Sequence, residues 1–265
     1  MRRSRNYVLA ALLGLVSLSV LEQTALATPP QGPAPVRRDR DHRIVSISVP
    51  IAPGDGTTDE KLRSVLAGED TSHLVAICLM GPGITDAGLG HIAAVKHLKI
   101  LDLQQSRISA EGLKHLAGLV EIEHLNLAMN PRITDAGLKH LQKLTKLQWV
   151  NLYNTSVTDE GISYMVEWKE LRALYLSETK ITDKSLMTLG ELRKLNELKL
   201  PGTLVTDAGL QHLASLKSLR QLDVFHTNVT SVGIETLGTK LPKCSILGSG
   251  GIRAPVERSG ADSNR

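Results

Sequence analysis

One six-residue phrase recurs seven times in this chain, and it restricts the possible fold more than any other feature. The phrase reads Ile/Val-Thr-Asp-x-Gly-Leu with small variations, and successive copies lie 24 or 25 residues apart. The copies start at Ile84, Ile108, Ile133, Val157, Ile181, Val205 and Val229. A fixed period of about 20 to 30 residues is typical of a solenoid, in which each repeat buries its apolar face only against its neighbours. The pattern therefore favours an extended binding surface over an enclosed pocket.

Each repeat predicts a short strand followed by a helix. Val150 and Leu152 alternate with polar residues, as expected for a strand that turns its apolar side chains inward. Thr or Ser stands second in every copy of the phrase and predicts a helix N-cap. An Asp follows in five copies and suits the positive end of the helix dipole. Gly at the fifth position of six copies indicates close approach between neighbouring repeats.

A small polar residue also recurs, three positions after the second inward residue of each strand. There the chain leaves the sheet, and its backbone groups lose their ladder partners. We expect a column of hydroxyl and amide side chains to bond these groups. The column consists of Ser106, Asn130, Thr155, Thr179, Thr203 and Thr227.

The combined pattern L-x-x-L-x-L-x-x-[NTS], followed by [IV]-T-D-x-G-L-x-x-L, resembles the leucine-rich repeat superfamily. It is most similar to the cysteine-containing subtype known from F-box proteins and many exported bacterial proteins, although Asn or Thr replaces the usual ladder cysteine. The resemblance implies an α/β fold, a right-handed strand–helix solenoid with a curved, parallel concave sheet and convex helices. It also implies that partners, usually proteins, bind the concave sheet. The sequence has no F-box, so a ubiquitin-ligase role is not implied.

The segments around the repeats divide the chain further. Residues 1–27 combine early arginines, an apolar run and Ala25-Leu26-Ala27, which predicts a signal peptide cleaved after Ala27 and an exported, periplasmic or secreted protein. The alternative, an uncleaved membrane anchor, is disfavoured because the run is shorter than the ~20 residues of a span. We predict a flexible linker at 28–42, an N-terminal capping repeat at 43–73, leucine-rich repeats at 74–247 and a disordered tail at 248–265.

Charge, cysteines and histidines argue against several partners and cofactors. Removal of residues 1–27 takes away three Arg and one Glu, which lowers the formal charge from +4 to +2. This charge is too small for a global field that attracts nucleic acid.

Cys78 and Cys244 fall on the first and last repeat strands. They are too far apart for a disulfide with each other, which needs Cα atoms within about 7 Å. We predict no cofactor and no metal site, because helices packed ~8–10 Å apart keep four equivalent histidines from converging on zinc. These are His91, His115, His140 and His212.

The strand side chains that point away from the core define what we call the open face, which the resemblance places on the concave side. Leucine satisfies the core, so packing gives aromatic residues no reason to lie on this face. Four of the six aromatic residues after position 27 nevertheless do so, amid polar residues, as binding hot spots do. The predicted partner-binding residues are Trp149, Tyr153, Tyr175, Phe225, His124, Asn126, Asn151 and Lys199.

Three functions stay open at this point. The favoured one is an exported, non-enzymatic scaffold that mediates protein–protein interaction through its concave sheet. The second is a binding module for envelope or extracellular polysaccharide, which would stack sugar rings on the same aromatic residues. The third, a hydrolase using Asp102 and His124, has the least support, because the sequence holds no known catalytic motif and no nucleophile with its base beside them.

Overall fold

The computed structural model describes residues 36–38, 44–49, 58–249 and 251–255. All of them belong to one compact unit that begins at Pro35. The predicted signal peptide, 1–27, lies outside the described residues, as do most of the predicted linker and tail. No helix within the described ranges is long and apolar enough to cross a membrane.

The described strands form a single sheet in which spatial order follows chain order. The strands are β1 (Val36–Arg38), β2 (Ile44–Val49), β3 (Ala76–Leu79), β4 (Ile100–Asp102), β5 (His124–Asn126), β6 (Trp149–Asn151), β7 (Ala173–Tyr175), β8 (Glu197–Lys199), β9 (Gln221–Val224), β10 (Ser245–Gly248) and β11 (Gly251–Arg253). Strands β2 to β10 are parallel, each to the next, whereas β1 and β11 are antiparallel to their neighbours. The sheet is open rather than closed, and it confirms the predicted α/β solenoid.

Helical segments alternate with the parallel strands. The α-helices are α1 (Asp59–Ala67), α2 (Asp86–Ile92), α3 (Asp135–Leu141), α4 (Asp159–Ser163), α5 (Asp183–Leu189), α6 (Asp207–Leu210) and α7 (Ser231–Lys240). The 3-10 segments are η1 (Gly112–Leu116), η2 (Tyr164–Glu167) and η3 (Gln211–Ser215). Six of the seven repeated phrases begin an α-helix as predicted, and the copy at Ile108 begins only η1.

Leucine builds the core, as the low aromatic content predicts. Val150 in β6 and Leu152, which directly follows this strand, are fully buried, and one apolar cluster extends from Ile47 to Ile246. Trp168 is the exception to aliphatic packing: it is fully buried, and its indole N–H donates to the Leu141 carbonyl at 3.3 Å. A continuous core of this kind couples each repeat to its neighbours.

Strands β1 and β11 correct the predictions for the ends of the chain. Residues 36–38 lie within the predicted flexible linker, and residues 251–253 lie within the predicted disordered tail, yet both form strands. Neither segment shows apolar alternation, so the pattern gives no sign of a strand. A parallel sheet ends in an unpaired strand edge, and a short antiparallel strand satisfies that edge at either end.

The predicted polar column bonds the backbone where the strands end. Thr155 Oγ1 donates to the Leu152 carbonyl at 2.8 Å. Asn130 Nδ2 lies 2.9 to 3.1 Å from three carbonyl oxygens, one of them in the preceding repeat. Ser106 departs from the prediction, because its buried hydroxyl has no hydrogen-bond partner within the described residues.

The aspartate of the phrase joins one repeat to the next, a role beyond the predicted helix-dipole effect. Asp183 accepts from the backbone N–H and from the hydroxyl of Thr206, both at 2.7 Å. Carboxylate bonds of this charge-assisted kind are stronger than neutral ones. We call this pair of bonds the aspartate clasp. It also joins Asp59 to Thr85, Asp86 to Ser109, Asp135 to Thr158, Asp159 to Thr182 and Asp207 to Thr230.

The clasp explains the glycine at the fifth position of the phrase. A Cβ added to Gly209 would lie 2.1 Å from Asp183 Oδ1, so glycine leaves the room that the carboxylate occupies. Ser185 is the copy without glycine, and there the serine hydroxyl itself donates to Asp159. The close approach between repeats that the sequence predicts therefore has a specific cause.

We expect Gly209→Ala to lower the free energy of unfolding by about 1–3 kcal/mol, because the added methyl group overpacks the clasp. The matched control is Gly90→Ala in α2, where the nearest other atom would be 3.9 Å away. Alanine should stabilise that open helix position by about 0.5–1 kcal/mol. Urea unfolding of both variants measures the difference, and equal stabilisation by the two substitutions would contradict this account of the glycine.

One clasp is missing from the series, and adding it should stabilise the protein. Ala110 stands where five of the other six copies of the phrase have aspartate, and the facing Thr134 makes no side-chain capping bond. Gly137 already leaves space beside Ala110. Ala110→Asp should raise the free energy of unfolding by about 1 kcal/mol. The control is Ala87→Asp, which adds an acid to the first turn of α2 without forming a clasp and should raise the free energy of unfolding by a smaller amount. Thermal and urea unfolding measure the stability of the two variants. Equal stabilisation by both would contradict the clasp and would attribute the effect to the helix dipole.

Candidate functional site

The strand register places the open-face residues in straight columns across the sheet. His124, Trp149 and Ala173 are direct neighbours on β5, β6 and β7, and Asn126, Asn151 and Tyr175 form the next column. The strand positions between these columns are buried. The open face is therefore built as predicted, with equivalent repeat positions side by side.

A continuous row of contacts crosses β5 to β8 on the open face. The His124 and Trp149 rings are stacked, with centroids 6.5 Å apart and an interplanar angle of 30°. Trp149 meets Tyr175 edge to face, at 5.3 Å and 81°. Lys199 Nζ lies 4.2 Å from the centre of the Tyr175 ring, a cation–π contact. We call His124, Trp149, Tyr175 and Lys199 the aromatic row.

Glu197 contacts two members of the aromatic row and holds one end of it in place. Its Oε1 accepts from the Tyr175 hydroxyl at 3.0 Å and lies 3.0 Å from Lys199 Nζ. Burial raises the pKa of Tyr175 above its ordinary value. Burial alone would lower the pKa of Lys199, but Tyr175 and Glu197 together hold that pKa above its usual range. Tyr175 thus stays neutral and Lys199 stays charged at neutral pH. Glu197 was missed by the sequence analysis, which selected aromatic and amide residues and the cation Lys199.

A polar network lies beside the aromatic row, on β4 and β5. Asn126 Nδ2 donates to Asp102 Oδ2 at 3.1 Å and to Gln104 Oε1 at 3.3 Å, and Asn126 Oδ1 accepts from the Ala128 N–H. Asn126 is only 8 % exposed. Its hydrogen-bonding groups are therefore engaged within the chain. Burial raises the pKa of Asp102, against the hydrogen bonds from the Gln104 N–H and Asn126.

The predicted binding residues differ widely in exposure. Tyr153 is 38 % exposed, whereas Tyr175 is 9 % exposed because its neighbours in the aromatic row cover it. Asn151 is half-buried, and its Oδ1 accepts from the Tyr153 N–H at 3.0 Å. Phe225 follows the end of β9 and its ring contact is with His226, whereas Tyr153 follows the end of β6, three strands away. The structure thus brings Trp149, Tyr175, His124 and Lys199 together and leaves Phe225 apart.

The residues considered for hydrolysis do not form a catalytic set. Burial and the Asp102 carboxylate raise the pKa of the Cys78 thiol to about 12, so it is protonated at neutral pH. Asp102 bonds Asn126 and the Gln104 N–H, and the His124 ring stacks on Trp149. Cys78 and Cys244 are both free cysteines in this structure.

A metal centre and a pocket on the helix side are the two other kinds of candidate site. No group of three or more His, Cys, Asp or Glu side chains in the described ranges could hold a metal ion. A shallow groove lies on the helix side, between the end of α3 and η2, lined by residues that include Lys143, Tyr164 and Glu167. Its charges are mixed, and it holds no buried polar atom without a partner.

His124 should make stability depend on pH. Burial lowers its pKa below the ordinary value, against the Glu123 carboxylate. The stabilisation it contributes is complete above its unfolded pKa of about 6.5 and is lost as pH falls through the lower folded value. Urea unfolding at pH 7 and pH 5 should show a smaller loss for His124→Gln than for the original chain. The control is His140→Gln, on the helix side, which should lose as much stability between pH 7 and pH 5 as the original chain. An equally large loss of stability in His124→Gln would contradict the assignment of this pH dependence to His124.

Comparisons with known proteins agree with this architecture. A family model described as "Leucine Rich repeat" matches residues 96–117, 122–142 and 215–238. Internalin C2 from Listeria monocytogenes is a similar solved structure, with a TM-score of 0.60 and 22 % identity over 78 % of this chain and 81 % of that one. An internalin (inlF) from the same species has a TM-score of 0.60 and 20 % identity over 72 % of this chain and 55 % of that one. No curated protein matches the sequence.

The repeat period, the aligned strands and the family model together identify the class of this protein. The chain contains leucine-rich repeats, and its strand–helix solenoid is the fold of leucine-rich repeat proteins. Its assignment to the cysteine-containing subtype stays a prediction. The likeness to the two internalins concerns the fold.

Proposed function

We propose that the chain is an exported, non-enzymatic scaffold that binds a protein partner through its open face. The observation that carries the proposal is the aromatic row. It lies on the side of the sheet away from the core, where burial of leucine gives aromatic rings no packing role. Leucine-rich repeat proteins commonly bind proteins, and the two internalins share the solenoid fold.

The row resembles the centre of a protein interface in its chemistry. Aromatic residues are enriched at hot spots, and a polar rim usually surrounds them. Here Tyr153 offers an exposed ring, and the Asp102–Asn126 network flanks the row on one side. Tyr175, Glu197 and Lys199 hold one another in place, so a partner meets side chains that are already ordered. Less conformational entropy is then lost on binding.

The ring geometry favours a protein over a polysaccharide at this face. Stacking on sugars needs a ring that presents its flat face to solvent. The Trp149 and Tyr175 rings are almost perpendicular, and Lys199 covers one face of Tyr175. Tyr153 is the one aromatic residue among the described open-face positions with more than a third of its surface exposed.

The chain's position outside the cytoplasm is part of the same proposal. The sequence pattern of residues 1–27 supports export with cleavage after Ala27. Mass determination of the N-terminus of protein recovered from the envelope fraction and medium tests this. Recovery of the complete residues 1–27 on the protein would reject cleavage.

Residues 28–265, used as bait in the envelope fraction of the source organism, should capture a protein that a Trp149→Ala/Tyr153→Ala variant loses. The matched control is Met187→Ala/Val232→Ala, which removes two exposed apolar side chains from the helix side. For the purified partner, each open-face substitution should weaken binding by about 1–4 kcal/mol in titration calorimetry. Equal capture by all three baits would reject the open face as the binding site.

A further inference from the structure

A second surface, separate from the open face, carries concentrated positive charge. It consists of the loops that lead from the helical segments into strands β7 to β10, residues 168–172, 190–196, 216–220 and 241–244, which we call the basic edge. These loops hold seven basic and two acidic side chains, a formal net charge of +5, against +4 for the complete chain. The three preceding loops of the same kind, 93–99, 117–123 and 142–148, hold four basic and two acidic side chains.

Some cations of the basic edge have partners within the protein. Lys194 Nζ lies 2.6 Å from Glu170, and Lys217 Nζ donates to the Ala214 and Lys240 carbonyls at 2.8 and 3.0 Å. Arg220 Nη1 likewise donates to two carbonyls, at 2.9 and 3.0 Å. Such contacts satisfy carbonyl groups near the ends of helical segments. They explain three of the seven cations as structural.

The other four cations have no such explanation. They are Lys169, Arg172, Arg193 and Lys243. All four are exposed, and their side chains have no hydrogen bond or ion pair within the described part of the chain. In the preceding loops, two of the four lysines are paired, Lys99 with Glu123 and Lys146 with Glu121, and both acidic side chains are used in this way. The basic edge therefore presents charge that the protein itself does not neutralise.

The strand register orders these loops. Each leads directly into one of four neighbouring parallel strands, whose first residues pair in sequence: Ala173 with Glu197, Glu197 with Gln221, and Gln221 with Ser245. Strands lie about 4.8 Å apart, so the cationic loops follow one another over roughly 14 Å. Such a line of charge is complementary to an extended chain with regularly spaced negative groups.

We propose that the basic edge binds a linear anionic polysaccharide through its carboxylate groups. Lysine supplies point charge, and arginine can bind carboxylates bidentately. Trp168, the aromatic residue of these loops, is fully buried, so no exposed ring can stack on the bases of single-stranded nucleic acid. The large exposed apolar side chains of the described residues lie outside these loops, so the basic edge offers nothing to insert into a membrane interface. This binding goes beyond the proposed partner of the open face.

The test measures binding of polygalacturonate by residues 28–265 at low ionic strength, with neutral dextran as the uncharged comparison. The edge variant is Lys169→Gln/Arg172→Gln/Arg193→Gln/Lys243→Gln, whose four side chains are exposed and unpaired. We expect the original chain to bind polygalacturonate, about tenfold or greater weakening in the edge variant, and weakening with added salt. Circular dichroism and thermal unfolding should be unchanged in the variant.

The matched control is Lys61→Gln/Arg107→Gln/Lys139→Gln/Lys184→Gln, which removes the same charge from exposed positions elsewhere. It should retain most of the affinity for polygalacturonate. Trp149→Ala should retain it too, because this substitution changes the open face and leaves the basic edge intact, so the two proposals are tested separately. Equal weakening in the edge and control variants, or no binding by the original chain, would overturn the proposal. So would binding confined to poly-L-glutamate or to phosphatidylglycerol vesicles, because either result would assign the basic edge to a protein or a membrane.

Discussion

The aspartate clasp is the interaction on which the rest of the structure depends. A single repeat is too small to bury its own apolar face, so every repeat needs a fixed position against the next. The carboxylate of one repeat bonds the capping threonine of the following one, as Asp183 bonds Thr206, and it occupies the space that glycine leaves open. One motif thus caps a helix, joins two repeats and sets their separation. The strand register, and with it the open face, follows from that regularity.

This regularity gives the protein two surfaces with different chemistry. On the open face, the register brings His124, Trp149, Tyr175 and Lys199 into contact although successive members are 24 to 26 residues apart in sequence. At the basic edge, the same register places cationic loops on successive strands. The first surface is aromatic and is held by Glu197, whereas the second presents lysine and arginine side chains, four of them exposed and unpaired within the described residues. The two binding proposals therefore concern separate surfaces.

The repeat pattern was sufficient to predict the strand–helix solenoid, the buried leucines and the columns of the open face, because each repeat satisfies the same local requirements. It was insufficient where a requirement is not repeated. Ala110 breaks the clasp and η1 replaces an α-helix there, while β1 and β11 form only because the sheet edges need partners. The membership of the candidate site was predicted in part. Trp149 and Tyr175 lie in one row, Asn126 is engaged within the chain, and Phe225 stands apart.

The sequence by itself determined the period, the identity of the inward residues and the class of fold, since these depend on spacing and polarity along the chain. Tertiary structure alone decided which side chains share a contact. Glu197 fixes one end of the aromatic row because its carboxylate lies 3.0 Å from Tyr175 Oη and from Lys199 Nζ. Tyr175 is covered by its neighbours, whereas Tyr153 is exposed. The physical reason is that exposure and hydrogen bonding depend on side chains from neighbouring repeats. Their rotamers and distances are set by packing in three dimensions.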